Sequence, residues 1–169
     1  MIMTVDELKK FIDTSIDNDV LELKLSAAEA MIRAYTHNGF HNRTIRCFTS
    51  VSDGVVSSAP SALADGDTVE ITESDENKGL FIYRNGRLTP TPNDCERCLI
   101  TKVEYPPDVK AGIVNLLDWD LNNRDRIGVS SETVSRHSVT YFNLDGTNSV
   151  AGYPSFLMGF LKPYMKARF

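Results

Sequence analysis

The sequence predicts a mainly α fold: a helical bundle of long helices with a small β-rich insertion and an extended C-terminal arm. Three observations predict it. Helical apolar periodicity occupies residues 1–43 and returns over 106–126. Between them, from 44 to 105, lie short runs of β-forming residues split by Gly, Pro, Ser and Asp. From 127 to 169 the chain turns polar and β-branched before a short terminal helix.

The first helix opens on a capping box, Thr4-Val5-Asp6-Glu7. The Thr4 hydroxyl can accept from the Glu7 backbone N–H while the Glu7 carboxylate accepts from the Thr4 N–H. Val5, Leu8, Phe11 and Ile12 then share one helical face, and polar residues interrupt the pattern at Ser15 to Asn18. A second helix is predicted from about Asp19 to Thr36, with Asp17 or Asp19 as its cap. Leu21, Leu25, Ala28, Ile32 and Tyr35 form its stripe; Val20, Ala27, Met31 and Ala34 widen it. So broad an apolar face is expected to pack on more than one neighbour. Gly39 stands where a left-handed stop is expected.

The insertion is predicted to hold strands at Thr44 to Val51, Asp67 to Thr72, Leu80 to Arg84 and Leu99 to Tyr105. Asn85-Gly86 between two such runs signals a two-residue hairpin, because both turn positions need positive φ. Helix resumes after Pro106-Pro107-Asp108, with proline tolerated at the first helical position. Val109, Ile113, Leu116, Leu117 and Leu121 make its core stripe, and the segment ends near Asn122-Asn123. The helices flanking the insertion are expected to pack together. Ile127 to Tyr141 reads as an extended arm or a loose edge, and Pro154 to Lys166 as a terminal helix.

The composition bounds the function. Apolar residues make up 41% of the chain and charged ones 24%, as in an ordinary folded domain. A net charge of −5 speaks against a surface that grips nucleic acid, which needs concentrated Lys and Arg. A weakly acidic wall suits a surface past which DNA slides. No apolar run is long enough to span a bilayer, and the first residues lack the pattern of a signal peptide. Three cysteines do not make a secreted disulfide framework, so a reducing cytoplasm is expected.

Candidate chemistry is sparse. Cys95 and Cys98 form a lone C-x-x-C, with Cys47, His37 and His41 elsewhere. A structural zinc site needs four ligands, so these are weak candidates, and half-buried thiols at the foot of a strand are the plainer expectation. His137 lies near Ser131, Glu132 and Ser135, but neighbours along an extended segment point apart and no nucleophile elbow accompanies them. No catalytic residue and no cofactor are expected. The terminal Lys162-Pro163-Tyr164-Met165-Lys166-Ala167-Arg168-Phe169 joins cations to aromatics in an otherwise acidic chain. It fits a docking tail with Phe160, Tyr164 and Phe169 as anchors and Lys162, Lys166 and Arg168 as cations. It fits equally a last helix folded on the protein's own core.

Four segments together resemble the head-to-tail connector (adaptor) proteins of long-tailed bacteriophages. They are the capped start Thr4-Val5-Asp6-Glu7-Leu8-Lys9 with its Ala-rich helix, and the Tyr105-Pro106-Pro107-Asp108-Val109 lead into another long helix. The third runs from Gly128-Val129-Ser130-Ser131-Glu132 to Ser138-Val139-Thr140-Tyr141, and the fourth is Leu161-Lys162-Pro163-Tyr164 with its basic end. Ser135-Arg136 stands where many relatives carry glycine and an acid. The resemblance implies a non-enzymatic subunit of a ring docked beneath the portal protein. Such a ring extends the DNA channel and receives a stopper or tail-completion protein. It implies residence in the host cytoplasm during assembly, then at the head-tail interface of the virion, with DNA passing through without specific binding and no membrane partner. It also implies that Ser131, Glu132, Arg136, Val139 and Tyr141 on the arm, with the terminal helix, clasp the portal or an adjacent copy. A small zinc-stabilised protein-binding module is the alternative reading of the residues.

Overall fold

The structure, a computed structural model, describes residues 1–74, 76–123, 131–134, 137–140 and 149–167. The chain forms two compact units. One joins Met1–Ile2 to Asn38–Tyr105; the other joins Met3–His37 to the chain from Pro106 onward.

The first unit is a closed antiparallel barrel. Its strands are β1 (His41–Ser52), β2 (Val55–Val56), β3 (Thr68–Thr72), β4 (Gly79–Arg84), β5 (Arg87–Thr89) and β6 (Cys95–Val103). They run in the order β1-β2-β5-β4-β3-β6, and β6 closes on β1. Closure leaves no free edge to template pairing with another chain. Val51, Val56, Val69, Ile71, Phe81, Leu88, Cys98 and Ile100 fill the interior. The expected Asn85-Gly86 turn is present, with φ of 49° and 78° between the paired Arg84 and Arg87. Asp53-Gly54 makes the same turn between β1 and β2, with φ of 46° and 73°.

Two irregularities shape the barrel. Between the pairs Asn42–Lys102 and Arg46–Thr101, β1 advances four residues and β6 one, so Arg43, Thr44 and Ile45 bulge out of the ladder. Between Thr49–Cys98 and Val51–Cys95, β6 advances three residues against two in β1. That extra residue breaks the strict alternation of a strand, and Cys95 as well as Cys98 packs with the interior cluster.

The second unit carries α1 (Val5–Leu8), α2 (Asn18–Thr36), α3 (Pro107–Asn123) and a 3-10 helix, Ser155–Tyr164. The hairpins β7 (Ser131–Val134) with β8 (His137–Thr140), and β9 (Ser149–Val150) with β10 (Tyr153–Pro154), complete it. The capping box forms as expected: Glu7 N–H donates to the Thr4 hydroxyl at 3.1 Å and Thr4 N–H to the Glu7 carboxylate at 3.0 Å. α2 turns Leu21, Leu25, Ala28 and Ile32 inward, all buried, and packs against α1, α3 and the 3-10 helix. Lys24 of α2 donates to the buried carboxylate of Asp120 on α3 at 2.6 Å.

The mainly α fold class is therefore corrected. About 35% of the chain is helical and 29% strand, and the insertion is a barrel with its own core rather than a small appendage to a bundle of long helices. Long helical periodicity is a local signal, whereas β1–β6 and β3–β6 pairing joins segments far apart in sequence and leaves no local trace. A smaller correction concerns the end of α2. The left-handed residue is His37, with φ of 50°. Gly39 serves space instead, since a Cβ there would stand 2.7 Å from the His41 ring.

Candidate protein-binding surface

The helical unit places large apolar side chains outside its own core, beginning at α1. After Leu8 the backbone tightens: Lys10 N–H donates to Glu7 O and Phe11 N–H to Leu8 O, each three residues back. Such 3-10 bonding rotates the following side chains off an α-helical face. Val5, Leu8 and Ile12 stay buried, but Phe11 is 71% exposed. The single face expected for these four residues is thus split.

Phe11 overhangs a groove of about 510 Å³, lined on one side by Met3, Glu7 and Lys10. Pro107, Lys110, Ala111 and Val114 line the other side. Their spacing is that of one face along the first two turns of α3. The Glu7 carboxylate is already engaged by the Thr4 N–H. Among the described residues, Lys10 and Lys110 have no ion-pair partner.

α2 contributes a second surface. The broad stripe read from its sequence divides, with Leu21, Leu25, Ala28 and Ile32 turned inward. Val20 is 44% exposed and Leu23 70%, and Ala27, Ala30 and Ala34, also exposed, continue that outer line. Burying one such leucine stabilises a contact by about 1.5–3 kcal/mol, which makes this row a candidate face for packing against another surface.

The terminal segment is folded onto the unit's own helices. Met158 and Leu161 are buried. The Phe160 ring lies so close over α3 that a Cβ on Gly112 would meet it at 2.5 Å. The Tyr164 hydroxyl stands 2.8 Å from both carboxylate oxygens of Asp108, a bond that raises the phenol's pKa above its ordinary value. Lys166 N–H donates to Thr36 O at 2.8 Å. What this segment leaves outside is Phe156, Met165 and the side chains of Lys162 and Lys166.

On the arm, Ser131, Glu132 and Val139 lie in the β7–β8 hairpin, where Ser131 pairs with Thr140 and Glu132 with Val139. His137 pairs with Val134 rather than with a serine. Arg136, Tyr141, Arg168 and Phe169 lie outside the described residues. The structure adds Phe11, Val20 and Leu23 to the surface, none of which was a candidate from sequence, and singles out Phe156 and Met165 within the terminal segment. Leu23 carried a signal, standing between Glu22 and Lys24 off the inner stripe.

The thiols belong to the barrel. Cys98 is fully buried, and burial first, then the hydrogen bond and charge of Cys95 and the charge of Cys47, push its pKa up to about 12. It stays a neutral thiol near pH 7, the form that neither ligates metal nor attacks. The Cys47 thiol, also raised by burial, faces the Ser58 carbonyl at 3.3 Å. Among the described residues no three His, Cys, Asp or Glu side chains converge as a metal site would require. No helix among them is long and apolar enough to cross a membrane. Compared with known proteins, the chain matches no family model and no curated protein.

Proposed function

We propose that the chain is a structural subunit of a phage head-tail connector ring that docks under the portal, extends the DNA channel and joins head to tail. The observation that carries this reading is the helical unit's outer surface. Phe11, Leu23 and Phe156 are each about two-thirds exposed or more, and Phe11 borders a groove of about 510 Å³. A protein whose work is to hold other chains needs such surfaces. The four resembling segments fall mainly in this same unit, and a net charge of −5 suits a channel that does not retain DNA. The exposed Phe156, Lys162, Met165 and Lys166 form the portal-facing element, with the β7–β8 hairpin clasping the portal or a neighbouring copy. No comparable observation favours the zinc-module reading.

The test is co-assembly with the portal protein of the same phage, imaged by electron microscopy. Removing the terminal segment would unseat the buried Met158 and Leu161, so surface variants are the right probe. Unmodified protein is expected to stack coaxially on the portal, and Phe156→Ser with Lys162→Glu and Lys166→Glu to lose the stack while keeping a native circular dichroism spectrum. Absence of any complex across low and high salt would end the connector reading.

A further inference from the structure

We infer that the groove between α1 and α3 of one copy receives the outer face of α2 from a second copy, so that the helical unit self-associates head to tail. It rests on the connector reading for its setting, and it names the two faces that meet.

Shape and charge both support the match. The groove is apolar at Met3, Phe11, Pro107, Ala111 and Val114, and its rim carries Lys10 and Lys110. The outer face of α2 presents Val20 and Leu23 as projecting side chains. Around them stand Asp17, Asp19 and Glu22, all exposed. The nearest cation along the helix, Lys24, is held by Asp120. One face is therefore apolar with acids around it; the other is apolar with two lysines and one acid, Glu7, whose carboxylate accepts from the Thr4 N–H. A helix that lays apolar anchors into a groove uses this arrangement, and opposite charges at the rim fix partner and register. Beyond Leu23 the row continues in Ala27, Ala30 and Ala34, small enough for a neighbouring helix to approach closely. The two faces differ, so the contact is heterologous, and each added copy leaves one of each open, the condition for a ring or a filament.

The experiment is sedimentation velocity on the purified full chain, unmodified and as two variants. Leu23→Glu spoils the α2 face and Phe11→Glu the groove; both residues are about 70% exposed, so neither touches the core. The unmodified chain is expected to gain mass with concentration. Each variant should self-associate about tenfold more weakly or less. Mixed in equal amounts, the variants should form a heterodimer and nothing larger, since each keeps the one intact face the other needs. An unmodified chain that stays monomeric at every concentration overturns the inference, as does a variant mixture that stays monomeric while the unmodified chain associates. The portal experiment separates the two readings. Rings that form on the portal from either variant would sink the named faces and leave the connector standing. Self-association with no portal binding would do the reverse.

Discussion

In the barrel, Val69, Ile71, Phe81 and Ile100 turn inward from three strands onto one closed interior. In the helical unit, α2 alone sends Leu21 and Leu25 inward and Val20 and Leu23 into water. The barrel also has outward apolar residues; its largest, Phe48, is 48% exposed and carries the Arg97 guanidinium 4.3 Å from its ring centroid. Closure satisfies every strand edge, whereas a short bundle leaves whole helix faces uncovered. The contrast directs the search for partners to the helical unit, whose Phe11 and Leu23 are the most exposed large apolar side chains among the described residues.

The contrast can be broken most sharply from the barrel side. Ile100→Ala should cost about 2–5 kcal/mol. If the units fold on their own account, this opens the barrel to thiol reagents at Cys98 while the fluorescence of Trp119, the protein's only tryptophan, keeps its unmodified denaturation midpoint. A shared shift of both signals would show that the barrel's stability is not its own. Next in size is Gly112→Ala, which gains helix propensity but drives a methyl into Phe160; a net loss of about 1–3 kcal/mol is expected in Trp119-monitored unfolding. Lys24→Met should follow at about 1–2 kcal/mol, because it strips a cation from a buried carboxylate that keeps other contacts. Its mark would be a lowered denaturation midpoint in Trp119-monitored unfolding, with Lys24→Arg keeping most of the stability.

The smallest effect at neutral pH is the buried thiol. Its folded pKa of about 12 lies above the ordinary 9.0, so the fold favours the protonated form. That contribution is complete below pH 9 and is lost as pH climbs from 9 toward 12. Thiolate absorbance during alkaline titration should therefore rise for Cys98 together with barrel unfolding, and Cys98→Ala should flatten the alkaline limb. An early, independent rise would contradict the buried placement.

The local chemistry of this fold was legible in advance where residue identity dictates backbone. Thr4 and Glu7 make their box, Asn85-Gly86 turns with both φ positive, and α2 ends at Thr36 as its periodicity requires. Asp53-Gly54 carried the same information unread. Barrel closure was not legible, because it depends on β6 pairing with both β1 and β3 and on bulges no single strand announces. The candidate surface was half legible. The breadth of the α2 stripe implied a second neighbour, but the tightened turn after Leu8 that throws Phe11 outward depends on packing rather than pattern.

Phe40 and Tyr105 stack with ring centroids 4.8 Å apart, and Glu104 N–H donates to Phe40 O beside the paired His41 and Val103. The barrel thus begins and ends at adjacent points of the chain. Bringing together two positions some 60 residues apart costs an unfolded chain about 4 kcal/mol in loop closure. Here the folding of the barrel itself supplies that closure, so the helices on either side behave as though joined by a short turn. Changes confined to the barrel's turns therefore leave the spacing of its two ends, and with it the entropy of joining α2 to α3, unaltered.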